Sequence, residues 1–172
     1  MLAASAAAPL GGDELTLDID VGAGAHASVG TVASTIVLPG PDASPSSMRT
    51  RCAVAAGAHL DWRGEPTVSV RGSDHTITTT VELDASATCR IVEEVALGRT
   101  DEVSGRLRLV LRVGRAGAVL VQHAESFGPD VAGAGSLVSV GAARHVLSAI
   151  HVGVDPGVSR VHVDGDCRAA WL

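Results

Sequence analysis

Apolar and polar residues alternate along several long stretches of this chain. From Glu14 to Val21 every second residue is Leu, Ile or Val, and the residues between them are acidic or Thr. Arg106 to Val113 repeats the pattern with arginines on the polar side, where Val110 is the one apolar residue. A period of two indicates a half-buried strand. Similar but less regular runs occur at Thr67 to Arg71, His75 to Leu83, Thr88 to Leu97, Val119 to Glu125, Ser136 to Val140, His145 to Val154 and Arg160 to Val163. The pattern predicts roughly a dozen strands and no helix.

A short turn rich in Gly and Ala recurs where such runs end. Its copies are Val21 to His26, Val54 to His59, Leu83 to Thr88 and Val113 to Ala118. Their first residues are 33, 29 and 30 positions apart, which indicates one supersecondary unit reused. Gly24, Gly57 and Gly117 permit the positive φ that a hairpin-like reversal needs, whereas the copy with Ser86 is the weakest. The sequence therefore predicts an all-β scaffold of stacked antiparallel strands, β-helical or sandwich-like, with few or no helices.

The length of the chain bounds the number of domains. A chain of 172 residues suits one domain, which buries about 70% of its unfolded surface. We therefore expect a single domain over residues 1–172, with Met1 to Ala8 disordered. Two Trp, one Phe and no Tyr leave the core to small aliphatic side chains.

The composition excludes several classes of function. Lysine is absent, so the chain has neither a Schiff-base lysine nor the lysine of a phosphate-binding loop. The net charge is -6 and the arginines are spread without a basic run, which argues against nucleic-acid binding. The apolar start, Met1 to Leu10, is too short for a membrane span and lacks the charged region of a secretion signal. Three cysteines without a C-x-x-C pair argue against a disulfide framework and favour a reducing cytoplasm.

The sequence gives no sign of a catalytic site. It contains no G-x-S-x-G, H-E-x-x-H or glycine fingerprint motif, and we expect no enzymatic activity. His26 and His59 occupy the same place in two copies of the turn. If the repeats stack, the two imidazoles lie near each other and are candidates for a transient divalent metal site of the nickel or copper type. Two solvated turn histidines are the simpler interpretation.

Two adjacent acidic residues, Glu93 and Glu94, place one carboxylate on the inward side of a predicted strand. Glu93 and Glu94 are adjacent in an extended run and therefore face opposite sides. The inward carboxylate needs a partner, since an unpaired buried charge is very costly, and Arg99 is the nearest candidate. We favour a structural ion pair over a functional site at this position.

A Trp-containing corner is the other unusual segment. Trp62 to Thr67 places one of the two Trp residues at a strand end, before a Gly and a Pro that fix the direction of the chain. Trp62 is either a core anchor or a hot spot at a partner interface. We favour the core anchor.

Three segments, in a fixed order, carry a family pattern. Pro9 to Ala25 is similar to G-G-D-x-L-x-L-x-V-x-V-x-x-G-A, Gly57 to Trp62 with Glu65 to Thr67 is similar to G-A-x-L-x-W-x-P-x-P-T, and Val92 to Arg99 is similar to E-x-x-x-x-G-R. In these motifs the chain resembles the UreD-type urease accessory proteins, called UreH in some bacteria. Gly128 to Leu172 follows the family only in its strand pattern. Val29 to Val37 departs from it, because it lacks the Gln, Lys and Tyr of the family's T-T-Q-x-x-x-K-V-Y stretch.

The resemblance implies a function for the whole chain. It implies a β-rich, helically wound scaffold that binds a UreF-type protein and, through it, a UreG-type GTPase, and that escorts nickel into apo-urease. It implies no tightly bound cofactor and only transient contact with nickel. The partner-binding or structural cluster would comprise Trp62, Glu65, Pro66, Glu93, Glu94 and Arg99. Two alternatives remain open, namely a β-sandwich or solenoid interaction module unrelated to urease and a hydrolase with an unrecognised carboxylate and histidine site.

Overall fold

The computed structural model of the chain describes residues 1–3, 8–132, 141 and 143–154, and the backbone of 158–164. These residues form twelve strands and no helix. The strands make up about 60% of the described residues, so the all-β prediction is confirmed. They are β1 Glu14–Val21, β2 His26–Gly30, β3 Thr35–Val37, β4 Ser46–Val54, β5 His59–Arg63, β6 Thr67–Ser69, β7 Asp74–Leu83, β8 Thr88–Leu97, β9 Arg106–Arg115, β10 Ala118–Phe127, β11 His145–Val152 and β12 Val158–Asp164.

The strands form two sheets that the chain visits in turn. The five-stranded sheet has the order β1-β4-β7-β9-β10, and the seven-stranded sheet has the order β12-β11-β8-β5-β2, with β6 pairing β8 and β3 pairing β6. Each passage from one sheet to the other completes part of a coil that stacks on the coil before it. The described residues therefore form a β-solenoid-like stack, as the recurring turn predicts.

The direction of the strands differs from the prediction. Strands of successive coils run parallel, from β1 through β4 and β7 to β9 and from β2 through β5 to β8. Antiparallel pairs occur between β9 and β10, β8 and β11, and β11 and β12. The expectation of antiparallel strands is thus wrong for most of the stack. Equivalent strands of successive coils travel the same way round the coil, so neighbours within a sheet are parallel.

The recurring turn is an arch between sheets and not a hairpin. Backbone hydrogen bonds from Ala25 to Gly22 (3.0 Å) and from Ala58 to Ala55 (3.0 Å) close the first two copies. Gly24 and Gly57 both have a φ of 66°, the left-handed conformation that glycine adopts without a Cβ clash. The arches pass the chain from the five-stranded to the seven-stranded sheet, so the strands on their two sides do not pair with each other.

The fourth copy of the turn is built differently. Strand β9 continues to Arg115, which lies opposite Leu83 of β7, and the chain then reverses at Ala116 (φ 47°) and Gly117 (φ 85°) into β10 of the same sheet. This copy is a true hairpin. The Arg115 guanidinium donates to the carbonyl oxygens of Ala87 (2.9 Å) and Gly153 (2.6 Å), which ties the hairpin to the opposite sheet.

The core lies between the sheets and is made of small side chains. Its larger cluster contains Val, Leu, Ile and Ala from both sheets together with Trp62, and a smaller one surrounds Phe127. Cys52 and Cys89 are buried and free, and burial raises the pKa of the first thiol to about 11 and of the second to about 12. The interpretation as small apolar core residues is confirmed for these two, while Cys167 lies outside the described residues.

Leu2, near the start of the chain, pairs with the segment that follows β2. Leu2 lies in an isolated parallel bridge with Thr31, where its amide donates to Gly30 (2.7 Å) and its carbonyl accepts from Val32 (2.9 Å). Residues 4–7 lie outside the described part of the chain, and the expected disorder of Met1 to Ala8 stays a prediction. Among the described residues, no helix has the length and apolar character needed to cross a bilayer.

Candidate functional site

Two histidines meet on the outside of the first two coils. His26 at the start of β2 lies opposite His59 at the start of β5 in the parallel register. Their ring centroids are 4.7 Å apart and the ring planes are almost perpendicular, at 84°. The prediction that stacked repeats bring these imidazoles together is confirmed.

A threonine continues the same row on the third coil. Thr88 at the start of β8 lies opposite His59, and its hydroxyl is 2.7 Å from the Nδ1 atom of that histidine. Burial lowers the pKa of His59, and the neighbouring charge on His26 lowers it further, while Asp61 opposes the shift. The described part of the chain holds no group of three or more His, Cys, Asp or Glu residues placed to bind a metal ion, so this row offers two imidazoles and no third protein ligand.

The inward carboxylate belongs to Glu93. The Thr79 hydroxyl of the opposite sheet donates to its Oε1 at 2.6 Å, and Ser148 lies beside it on β11. Burial raises the pKa of the Glu93 carboxyl, the Thr79 hydrogen bond lowers it and the Glu125 charge raises it further. This carboxyl therefore links the two sheets through a hydroxyl and not through an arginine.

The expected pairing with Arg99 is not observed. Arg99 binds Glu102 through Nε (2.8 Å) and Nη2 (3.1 Å), and this hydrogen bonding lowers the pKa of the Glu102 carboxyl to about 2. Gly98 takes a positive φ of 85°, which turns the chain away from the sheet before Arg99. Glu94 lies on the outer side of β8, where its Oε1 atom is 3.8 Å from Nδ1 of His145.

The turn that contains Arg99 is also held by a second arginine. The Arg144 guanidinium donates to the carbonyl oxygens of Arg99 (2.6 Å) and Glu102 (2.7 Å). Nothing in the sequence spacing connects Arg144 with this turn, since the two lie more than forty residues apart. Glu93 thus lies between the sheets, whereas Glu94 and Arg99 lie on the outer side, so these three residues do not form one cluster.

Replacing Arg99 by Ala is expected to leave stability almost unchanged, because exposed ion pairs contribute little. The measurement is the urea midpoint of the variant against that of the wild type. Arg144→Ala removes two hydrogen bonds to turn carbonyls and is expected to lower the midpoint more than Arg99→Ala does. A large loss of stability in Arg99→Ala alone would contradict the observed surface pairing.

The Trp62 corner combines a core residue with an exposed loop. Trp62 is 9% exposed and belongs to the main core cluster, in register with Val29 on β2 and Ile91 on β8. The Glu65 amide donates to the Thr31 hydroxyl (2.8 Å), and the Pro66 carbonyl accepts from the backbone amide of Thr35 on the preceding coil (3.0 Å). The structure therefore supports the core-anchor interpretation of Trp62, and a binding role for Glu65 or Pro66 stays a prediction.

A serine–histidine contact that resembles part of a hydrolytic site is sealed in the core. The Ser46 hydroxyl lies 2.8 Å from Nδ1 of His75, and the two residues are 3% and 1% exposed. No substrate can reach this pair without unfolding of the sheets.

Four functional or structural partners could not be found from the sequence: Thr79, Thr88, Glu102 and Arg144. Thr79 and Thr88 are ordinary strand residues whose partners are set by stacking of coils. The spacing of Glu102 three residues after Arg99 was the only local signal available for any of them.

Comparison with known proteins places the chain in a family. The model of the UreD urease accessory protein family matches residues 1–171, and the chain belongs to this family. It is 39% identical over 165 residues to the urease accessory protein UreD of Frankia casuarinae, a match that covers 87% of this chain and 50% of the relative. It is 45% identical over 128 residues to UreD of Frankia alni, covering 74% of this chain and 41% of the relative.

The chain spans about half the length of the curated relatives that it matches, or less. The similarity extends over the solenoid coils that carry the histidine row, the Trp62 corner and the Glu93 site.

Proposed function

We propose that this chain is a cytoplasmic scaffold that assists nickel insertion into apo-urease, in a complex with a UreF-type protein and, through it, a UreG-type GTPase. The observation that carries the proposal is the family match along almost the whole chain. The two stacked sheets suit a protein that holds partners in a fixed arrangement.

The chemistry of the described residues agrees with a scaffold. Without lysine, the chain cannot form the phosphate-binding loop of a nucleotide hydrolase, so the energy for metal transfer would come from the GTPase partner. The buried Ser46 and His75 are inaccessible to substrate, which supports a role other than catalysis. In this scheme nickel would be the cargo of the assembled complex, which would hold it weakly so that it can be passed on to urease.

The proposal is tested by urease activation. The chain is produced together with the UreF-type and UreG-type proteins and apo-urease in cells supplied with nickel, and urease activity and co-purification with the UreF-type protein are measured. UreD of Frankia casuarinae serves as the positive control. We expect activation and co-purification above the level without any UreD-type chain.

Expression without partners gives the second readout. Among the described residues β1 is an edge strand of the five-stranded sheet. An edge strand can pair with other chains, and we expect a larger insoluble fraction when the partners are absent. A chain that is soluble alone, does not bind the UreF-type protein and leaves urease inactive would overturn the proposal in favour of an unrelated interaction module.

A further inference from the structure

We propose that His26 and His59 form a two-imidazole site for a late first-row divalent transition metal ion on the outer face of the seven-stranded sheet. The inference goes beyond the proposed function, because it concerns direct binding of a free ion by this chain alone. It rests on the separation of the two rings, on the contact that orients one of them and on the register that places both in one row.

The separation of the rings fits two ligands of one ion. A metal–nitrogen distance of about 2.0–2.1 Å places each ring centroid roughly 3 Å from the metal, so two imidazoles at an angle of roughly 90 to 110° have centroids about 4.4–5.2 Å apart. The observed separation is 4.7 Å. The rings now lie edge to face. Rotation about the terminal side-chain torsions, which have broad energy wells, can turn a nitrogen of each ring towards the same ion.

Thr88 orients the ring of His59 for binding. Its hydroxyl oxygen, 2.7 Å from Nδ1, can accept the proton of that nitrogen, which leaves the lone pair on Nε2 for a metal. A hydrogen bond to the second ring nitrogen is the usual support of metal-binding histidines. The parallel register places His26, His59 and Thr88 in one row across three coils, so the supporting hydroxyl and the two ligands are neighbours in the folded chain.

The type and number of ligands determine which metal the site prefers and how tightly it binds. Imidazole suits copper, nickel and zinc, and affinity at a nitrogen site rises towards copper. With two protein ligands and the remaining positions filled by water, the ion is expected to exchange readily. We therefore expect saturable binding in solution and loss of the ion on dialysis against a chelator.

The test is isothermal titration calorimetry of the purified, untagged chain at pH 7.5, first with Ni²⁺ and, in a separate experiment, with Cu²⁺. We expect one ion per chain. His26→Ala and His59→Ala are each expected to weaken binding at least tenfold, and Thr88→Val about tenfold, which is the usual effect of losing a supporting contact. His145→Ala, which changes a histidine on another part of the same sheet, is the matched control and is expected to bind as the wild type does.

Spectroscopy separates this site from other histidines. The electron paramagnetic resonance spectrum of the Cu²⁺ complex is expected to show two coupled nitrogens, which His26→Ala reduces to one. His26 is exposed on the edge strand β2, so this variant keeps the fold, and circular dichroism checks that it does. Equal binding by the wild type and the His26→Ala, His59→Ala double variant, or no saturable binding by the wild type, would overturn the proposal.

Urease activation is a separate readout, and the two proposals can fail independently. If nickel reaches urease mainly through the partner complex, each single histidine variant keeps more than half of the activation while losing the free-ion binding. Metal binding without any urease activation would leave the two-imidazole site intact and would overturn the proposed scaffold function alone.

Discussion

Replacing Trp62 by Ala is expected to lower the free energy of unfolding by about 3–5 kcal/mol, the usual cost of removing a large buried aromatic side chain. Trp62 is one of the few large side chains in a core of Val, Leu, Ile and Ala, where it packs in register between Val29 and Ile91. Small neighbours cannot close the cavity that its loss would leave. The measurement is unfolding in urea, monitored by the circular dichroism signal of the strands.

A control separates packing from partner binding at Trp62. Val32→Ala changes an apolar residue that is 55% exposed and is expected to alter the free energy of unfolding by less than about 0.5 kcal/mol. Trp62→Phe, which keeps an aromatic ring, is expected to fall between the wild type and Trp62→Ala. If Trp62→Ala unfolds at the wild-type midpoint but no longer binds the UreF-type protein, Trp62 is an interface residue and the core assignment is wrong.

Acid is expected to destabilise the chain through His75, by at most about 3 kcal/mol between pH 6.5 and pH 4. Burial lowers the pKa of His75 to about 4, while the neighbouring Asp74 and the hydrogen bond with Ser46 work in the opposite direction. The unfolded chain binds the proton at a pKa of about 6.5. Stability from this group is therefore complete above pH 6.5 and is lost as the pH falls towards 4.

The share of His75 can be isolated by substitution. His75→Gln removes the titration, so the loss of unfolding free energy between pH 6.5 and pH 4 is expected to be smaller in this variant than in the wild type. His145→Gln, at an exposed position, is the control and is expected to follow the wild type. Glu93 acts in the opposite sense, because its raised pKa favours the folded state as the pH falls. Equal slopes for the wild type and His75→Gln would contradict the assignment.

Strands with a strict alternation could be located from sequence alone. The run from Glu14 to Val21 coincides with β1, and the run that begins at Arg106 becomes β9, which ends at Arg115. Strand β4 has a weaker pattern, because two of its inward positions are Ser46 and Thr50, which are buried as polar residues. A hydroxyl inside the core breaks the alternation although the strand is fully paired.

The candidate site was only partly predictable for a related reason. The equal placement of His26 and His59 after the turn correctly indicated that they meet, since repeats of the same geometry stack in register. The partner of Glu93 could not be found in this way. Its hydrogen bond comes from Thr79, which lies on the opposite sheet, and no sequence spacing relates the two.

The sequence by itself determined the all-β class, the recurring coil and the absence of a lysine-dependent site, because alternation, turn glycines and composition are local properties. The tertiary structure decided the direction of the strands, the pairing of Arg99 with Glu102 and the burial of Trp62 and His75. The arches and the hairpin both contain a glycine with a positive φ, so the glycine alone does not tell one kind of turn from the other. Which of the two it makes depends on the sheet that the next strand joins, and that choice is set by burial of the apolar faces between coils distant in sequence.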